Sequence, residues 1–104
     1  MVASIEPDTI LTPLNPGTIT ITCYIEKDDN GNVYTDVDEN KFSIVQKEGN
    51  ILDNDEYSAE FTNGVYSKKY NVPENKNEDS ITYKFNCSYT LTDEIKYTAE
   101  VSIT

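Results

Sequence analysis

Hydrophobic and polar residues alternate strictly along much of the chain, most clearly in its last quarter. Between residues 81 and 91 one parity is apolar and the other polar, which is typical of a strand with one buried face. The pattern restarts after Thr92-Asp93-Glu94, so the two segments predict an antiparallel hairpin closed by a short acidic turn. A third such run follows Pro16-Gly17, and its polar face is almost entirely threonine.

Four shorter strands are predicted around these three. The first combines residues 4–6 with 10–14, and the others cover 41–47, 57–61 and 65–72. Asn63-Gly64 predicts a two-residue type I′ turn, because that turn needs positive φ at both central positions. About seven short strands in 104 residues predict an all-β fold, an antiparallel β-sandwich formed by residues 1–104 as a single domain.

The alternation also predicts which side chains form the core. Thr82, Lys84 and Asn86 are predicted to face outward. If they faced the core, the predicted register of the strands would be wrong. The residues predicted to face inward are Ile19, Ile21, Cys23, Ile25, Phe42, Tyr83, Phe85, Cys87, Tyr89, Ile95, Tyr97, Val101 and Ile103.

The composition argues against several classes of function. The chain has no His and no Trp, and its 8 basic residues, all Lys, stand against 19 acidic residues, for a net charge of −11. Without imidazole there is no ordinary Ser-His or Cys-His nucleophile pair, and the acidic charge repels nucleic acid and anionic membranes. Paired carboxylates would need a shaped apolar cleft, for which a small sandwich has little room. We expect a protein that is not an enzyme, needs no cofactor, does not insert into a membrane, and binds a basic protein surface or metal cations.

Cys23 and Cys87 share the inward parity of the second and sixth predicted strands. This placement resembles the immunoglobulin (Ig) fold, whose cysteine pair joins strands B and F. Residues 79–83, Asp-Ser-Ile-Thr-Tyr, also resemble the entry to strand F, where a tyrosine precedes the second cysteine. The sequence departs from the family at Phe85, which occupies the expected cysteine position, and at Phe42, which replaces a buried Trp of strand C.

The resemblance covers residues 16–104 and is to the broad Ig-like superfamily, in particular the divergent domains of bacterial surface proteins and tailed-phage virion proteins. It implies an Ig-like sandwich with strands A to G in chain order, and B–C and F–G loops at the same pole. The two cysteines are then expected to be close together. In a reducing cytoplasm we expect buried thiols rather than a disulfide.

The function expected from this resemblance is that of a structural or interaction module. The preferred context is an auxiliary (decoration) protein on the capsid or virion surface of a tailed bacteriophage, because the sequence starts with Met and shows no signal peptide. The alternative is an Ig-like spacer or glycan-binding domain of a bacterial cell-surface protein.

The first 17 residues are one candidate for partner contact. They are poor in acids, and prolines separate their apolar positions. A strand interrupted by prolines does not complete a sheet by itself, so we expect it to pair with a partner at a sheet edge. An ordinary first strand that covers the open side of the core is the competing interpretation. The candidate contact residues here are Val2, Ile5, Ile10 and Leu11.

The B–C segment, residues 27–40, is the second candidate, since it is the longest stretch without a predicted strand. Tyr34 is its candidate anchor, because tyrosine supplies contact area at low entropic cost. The competing interpretation is a tyrosine that caps the end of the core with its hydroxyl in water. Residues 32–35 are also candidates for a small extra hairpin.

Acidic residues cluster in the predicted loops. Carboxylate and amide oxygens at a shared B–C and F–G pole form a candidate calcium site, because calcium takes six to eight oxygen ligands. We favour the competing interpretation of solvated turns that oppose association between sheet edges. The candidate ligands are Asp28, Asn30, Asp36, Asp38 and Asp93.

Overall fold

The protein folds into two antiparallel β-sheets. The computed structural model describes residues 1–6, 17–27, 30–52, 58–73 and 81–103. The strands are β1 (Val2–Glu6), β2 (Gly17–Tyr24), β3 (Phe42–Glu48), β4 (Glu60–Thr62), β5 (Val65–Val72), β6 (Tyr83–Thr90) and β7 (Lys96–Ile103). A 3-10 turn, Glu39–Lys41, precedes β3. The sheets have the strand orders β1-β2-β5-β4 and β3-β6-β7, which correspond to A-B-E-D and C-F-G of Ig constant-type domains. The predicted all-β, Ig-like sandwich is confirmed.

Aromatic contacts join the two sheets through the core. Phe42 on β3 stacks on Tyr66 of β5, with ring centroids 5.4 Å apart, and its ring also lies 4.7 Å from that of Tyr89. A second contact joins Tyr70 of β5 to Phe85 of β6 at 4.9 Å. Phe42 therefore contacts aromatic rings of both sheets and helps to join them through the core.

Cys23 and Cys87 lie in the middle of this core, on the central strands β2 and β6, and both are fully buried. The two thiols are close enough to share a hydrogen bond. That hydrogen bond and burial raise the pKa of the Cys23 thiol. The prediction that the cysteines lie close together across the sandwich is confirmed.

The predicted inward parity is confirmed for most positions, with Phe85 paired to Val101 and Cys87 to Ala99. Ile25 and Val101 are only partly buried against the core. The prediction was wrong for Ile95 and Tyr97, which are 47% and 41% exposed. Ile95 lies in the turn before β7, and Tyr97 has the inward parity but borders an open groove at the hairpin end.

Leu52 is a core residue that no periodic pattern predicted. Its backbone N–H donates to Gln46 Oε1 at 3.0 Å, and Gln46 Nε2 donates to the carbonyl oxygens of Glu48 and Asn50 at 3.1 and 2.6 Å. Gly49 allows this tight turn, because its φ is +95° and a Cβ there would lie 2.6 Å from the ring of Tyr83. The Gln46 side chain thus holds the turn that carries Leu52 into the core.

The hairpin predicted from Asn63-Gly64 is confirmed, with φ of 51° and 85° at the two positions and Thr62 paired to Val65. β4 is shorter than the predicted strand 57–61, and Tyr57 lies outside the described residues. β1 begins earlier than predicted, whereas the predicted continuation over residues 10–14 lies outside the described part of the chain.

Candidate binding groove

An open groove of about 510 Å³ lies at the pole where the B–C segment and the F–G turn, residues 91–95 between β6 and β7, meet. We call it the pole groove. Its floor includes the buried ring of Tyr89, and its walls combine aromatic, aliphatic and charged side chains. The residues that line it are Ile25, Glu26, Lys27, Tyr34, Asp36, Val37, Tyr89, Leu91 and Tyr97. The expectation that the B–C and F–G loops share a pole is confirmed.

The β6–β7 hairpin supplies one wall of the groove. Tyr89 and Tyr97 are direct partners in the register, so their side chains project from the same face of the sheet. Thr92 closes the turn, since its Oγ1 accepts hydrogen bonds from the backbone N–H groups of Glu94 and Ile95 at 3.2 and 3.1 Å. The Leu91 N–H also donates to the Ile95 carbonyl oxygen at 3.0 Å. This tight turn fixes Leu91 beside the two tyrosines.

The B–C segment supplies the opposite wall and is held by backbone hydrogen bonds. The Lys27 N–H donates to the Asn32 carbonyl oxygen at 2.7 Å, and the Tyr34 N–H donates to the Ile25 carbonyl oxygen at 2.8 Å. Glu26 and Val33 form an antiparallel bridge between these bonds. The small extra hairpin predicted here is confirmed, and it carries Tyr34 to the groove.

The β4–β5 turn packs beneath the same segment. Gly64 is buried, and a Cβ at its position would lie 2.8 Å from the Tyr34 carbonyl oxygen and 3.1 Å from Thr35 Cα. Real Cβ atoms do not approach a backbone oxygen that closely. Glycine at this position therefore lets the turn lie against the backbone that presents Tyr34.

Asp38 fixes the far end of the B–C segment. Its N–H donates to the Tyr89 hydroxyl oxygen at 3.2 Å, across 51 positions of sequence. Its carboxylate accepts from the Asn40 N–H at 2.9 Å and caps the 3-10 turn. Tyr89 thus serves both as the groove floor and as an anchor for the loop above it.

Exposed apolar side chains are concentrated at this pole. Six large hydrophobic residues are exposed among those that the structure describes, and three of them, Tyr34, Leu91 and Tyr97, line the groove. A fourth, Ile95, belongs to the adjoining turn. A cluster of exposed apolar groups with a polar rim is typical of an interaction site.

Acidic residues outnumber basic ones around the groove. The described pole segments, residues 25–27, 30–41 and 91–97, carry six acids and three lysines. An ion pair joins Lys84 Nζ to Glu48 Oε2 at 4.0 Å, away from this pole. Within the described residues, neither Glu26 nor Asp36 forms an ion pair with a lysine at 4.0 Å or less.

The calcium candidates do not converge on one point within the described part of the chain. No group of three acidic or cysteine side chains there is close enough to hold a metal ion. Asp36 lines the groove, the Asp38 carboxylate caps the 3-10 turn, and Asp93 belongs to the F–G turn. Asn30 is exposed beside the B–C hairpin, and Asp28 lies outside the described residues.

The candidates for partner contact are divided between two places. Tyr34 belongs to the pole groove, whereas Ile5 is buried in the core and β1 pairs with β2 over its whole length. Val2 is half-buried at the start of the same strand. Ile10 and Leu11 lie outside the described residues. Within the described residues, the ordinary first strand is the interpretation that fits β1, because the Ile5 side chain is not available to a partner.

Sequence reasoning missed the contribution of the F–G hairpin to the groove. Leu91 and Tyr97 have the apolar parity of a core position, and parity alone does not show where the opposite sheet stops covering a strand. The one available signal was their position beside the predicted acidic turn.

Comparisons with protein families, with curated proteins and with solved structures found no match. No helix in the described chain is long and apolar enough to cross a membrane. The assignment to the Ig-like sandwich class therefore rests on the strand order and the register of the two sheets.

Proposed function

We propose that the protein is a non-enzymatic Ig-like interaction module that attaches to a larger assembly through the pole groove. The observation that carries this proposal is the concentration of exposed apolar side chains in a groove at one pole. Protein–protein interfaces commonly have tyrosines at their centre and a polar rim, and the groove has the same arrangement. The absence of His from the whole sequence supports a role without catalysis.

The context we propose is the virion of a tailed bacteriophage, with the protein as an auxiliary or decoration element on the particle surface. Its support is the Ig-like strand order together with the strongly acidic charge. Neighbouring acidic copies on one particle repel each other electrostatically. Attachment through a small site at one pole leaves the rest of each acidic surface in solvent, where salt screens this repulsion.

Fractionation of the organism that carries the gene tests this context. A tagged chain is expressed there, phage production is induced, and the lysate is separated on a density gradient. The proposal expects the chain in the fractions that hold virion particles. Its recovery in the cell envelope would contradict the virion context and support the cell-surface alternative, whereas recovery only as free protein would contradict attachment to either assembly.

A further inference from the structure

We infer that the pole groove receives a lysine or arginine side chain from a basic segment of a protein partner. This inference rests on the proposed function and specifies the chemistry of its partner. Three properties of the same site support it: the aromatic walls, the two carboxylates that form no ion pair with a described lysine, and the size of the groove.

The aromatic walls suit the stem and head of a basic side chain. Tyr34 of the B–C segment and Tyr97 of β7 both line the groove, and each remains 41% exposed. A cation over a tyrosine ring is attracted by the ring electrons, and the aliphatic stem of Lys or Arg packs on apolar surface such as that of Leu91.

The carboxylates give the groove its charge selectivity. Glu26 and Asp36 both line it, against the single lysine Lys27. Since neither carboxylate forms an ion pair with a described lysine, an incoming ammonium or guanidinium finds a charged hydrogen-bond acceptor there. The surrounding pole has twice as many acids as lysines, which also steers a basic segment toward the groove.

The size of the groove fits a segment rather than an ion. A volume of about 510 Å³ lies in the range of sites that hold a small ligand or a few side chains. A neutral glycan would also stack on tyrosine and donate hydroxyl hydrogen bonds to the carboxylates, but it would gain no ionic attraction from the surplus of negative charge. The acidic rim therefore favours the basic segment over the glycan.

The test is an NMR titration of the 15N-labelled chain with a capped hexapeptide of alternating lysine and glycine. A peptide with glutamine in place of lysine is the control ligand, and maltohexaose is the glycan probe. The main variant is the double substitution Glu26→Gln and Asp36→Asn. The matched control is Glu6→Gln with Glu100→Gln, which removes the same charge from exposed positions outside the groove.

We expect the lysine peptide to shift the amide signals of Tyr34, Leu91 and Tyr97, and the glutamine peptide to leave them unchanged. The groove variant should bind the lysine peptide roughly tenfold more weakly, and the control variant less than about twofold. Raising the salt from 0.05 to 0.5 M should weaken binding several-fold, because the Debye length shortens.

Three results would overturn the inference. Equal losses in the two double variants would show attraction to the whole acidic surface rather than to the groove. Shifts with maltohexaose but not with the lysine peptide would assign the groove to a glycan. If neither probe shifts the groove signals, the groove does not bind a basic segment. None of these results decides whether the chain sediments with virions, so the proposed function fails or stands separately.

Discussion

Tyr89 and Tyr97 face each other across the β6–β7 hairpin, yet Tyr89 is 4% exposed and Tyr97 is 41% exposed. The two side chains share one face of the sheet, so the difference arises from what lies above them. Tyr89 and Tyr97 both line the pole groove, but Tyr89 also contacts Phe42 in the core and accepts a hydrogen bond from the Asp38 N–H. The boundary between the buried core and the exposed end of the hairpin therefore passes between these two residues.

Removing the Tyr89 hydroxyl should loosen the B–C segment. Tyr89→Phe keeps the ring in the core but leaves the Asp38 N–H without its acceptor, so we expect a loss of about 0.5–1.5 kcal/mol in the free energy of unfolding. Hydrogen exchange at the Asp38 amide should accelerate. The control is Tyr97→Phe at the exposed position, and equal exchange rates in the two variants would show that the hydrogen bond does not hold the loop.

Gly64→Ala should destabilise the protein and displace Tyr34. The φ of +85° disfavours alanine, and its Cβ would meet the Tyr34 carbonyl oxygen. We expect a loss of about 1–3 kcal/mol in urea unfolding, with a changed amide shift for Tyr34. Gly17→Ala is the matched control, because nothing lies within 4 Å of its Cβ position. A Gly64→Ala variant as stable as the Gly17→Ala variant would contradict the close packing of the two turns.

Cys23 and Cys87 should remain thiols in protein purified from a reducing cytoplasm. Their burial should prevent alkylation by iodoacetamide in the native state, and unfolding in guanidinium should allow both to react. Mass spectrometry of the intact chain measures both points. A mass lower by two hydrogens before any treatment would show a disulfide instead.

Alkaline pH should destabilise the fold through the buried tyrosines. Burial, with smaller effects of Cys87 and Tyr66, raises the pKa of Tyr70 from its ordinary 10.0 to about 12. The group is neutral in the core, so its contribution to stability is complete below pH 10.0 and is lost as the pH rises through about 12.

Urea unfolding between pH 9 and 12, with tyrosinate absorbance at 295 nm, measures this loss. Tyr70→Phe should lose less stability over that range than the unaltered chain, and Tyr97→Phe should follow the unaltered chain. Identical slopes for Tyr70→Phe and the unaltered chain would show that Tyr70 does not titrate with unfolding.

The fold was largely predictable because its strands have one buried face. Period-two alternation identified β2, β6 and β7, and Asn63-Gly64 identified the β4–β5 turn. Leu52 was not predictable, since it reaches the core through hydrogen bonds from the Gln46 side chain and not through a strand pattern. Such contacts leave no periodic signal in the sequence.

The groove was predictable only on one side. The length of the B–C segment indicated a loop that carries Tyr34, and the structure places that residue in the groove. The wall formed by the β6–β7 hairpin could not be predicted, because Leu91 and Tyr97 have the same inward parity as the core residue Tyr89. Their exposure depends on where the other sheet ends, which is a property of the packed sandwich.

The most direct test of the pole groove is co-sedimentation of two double variants with virion particles from the organism that carries the gene. Tyr34→Ser with Tyr97→Ser removes both exposed rings of the groove, and Val45→Ser with Ile51→Ser removes two exposed apolar side chains elsewhere. Circular dichroism melting first confirms that both variants fold. We predict that the groove variant stays at the top of the gradient while the control variant sediments with the particles. Particle binding by the groove variant at the level of the control would contradict attachment through this pole.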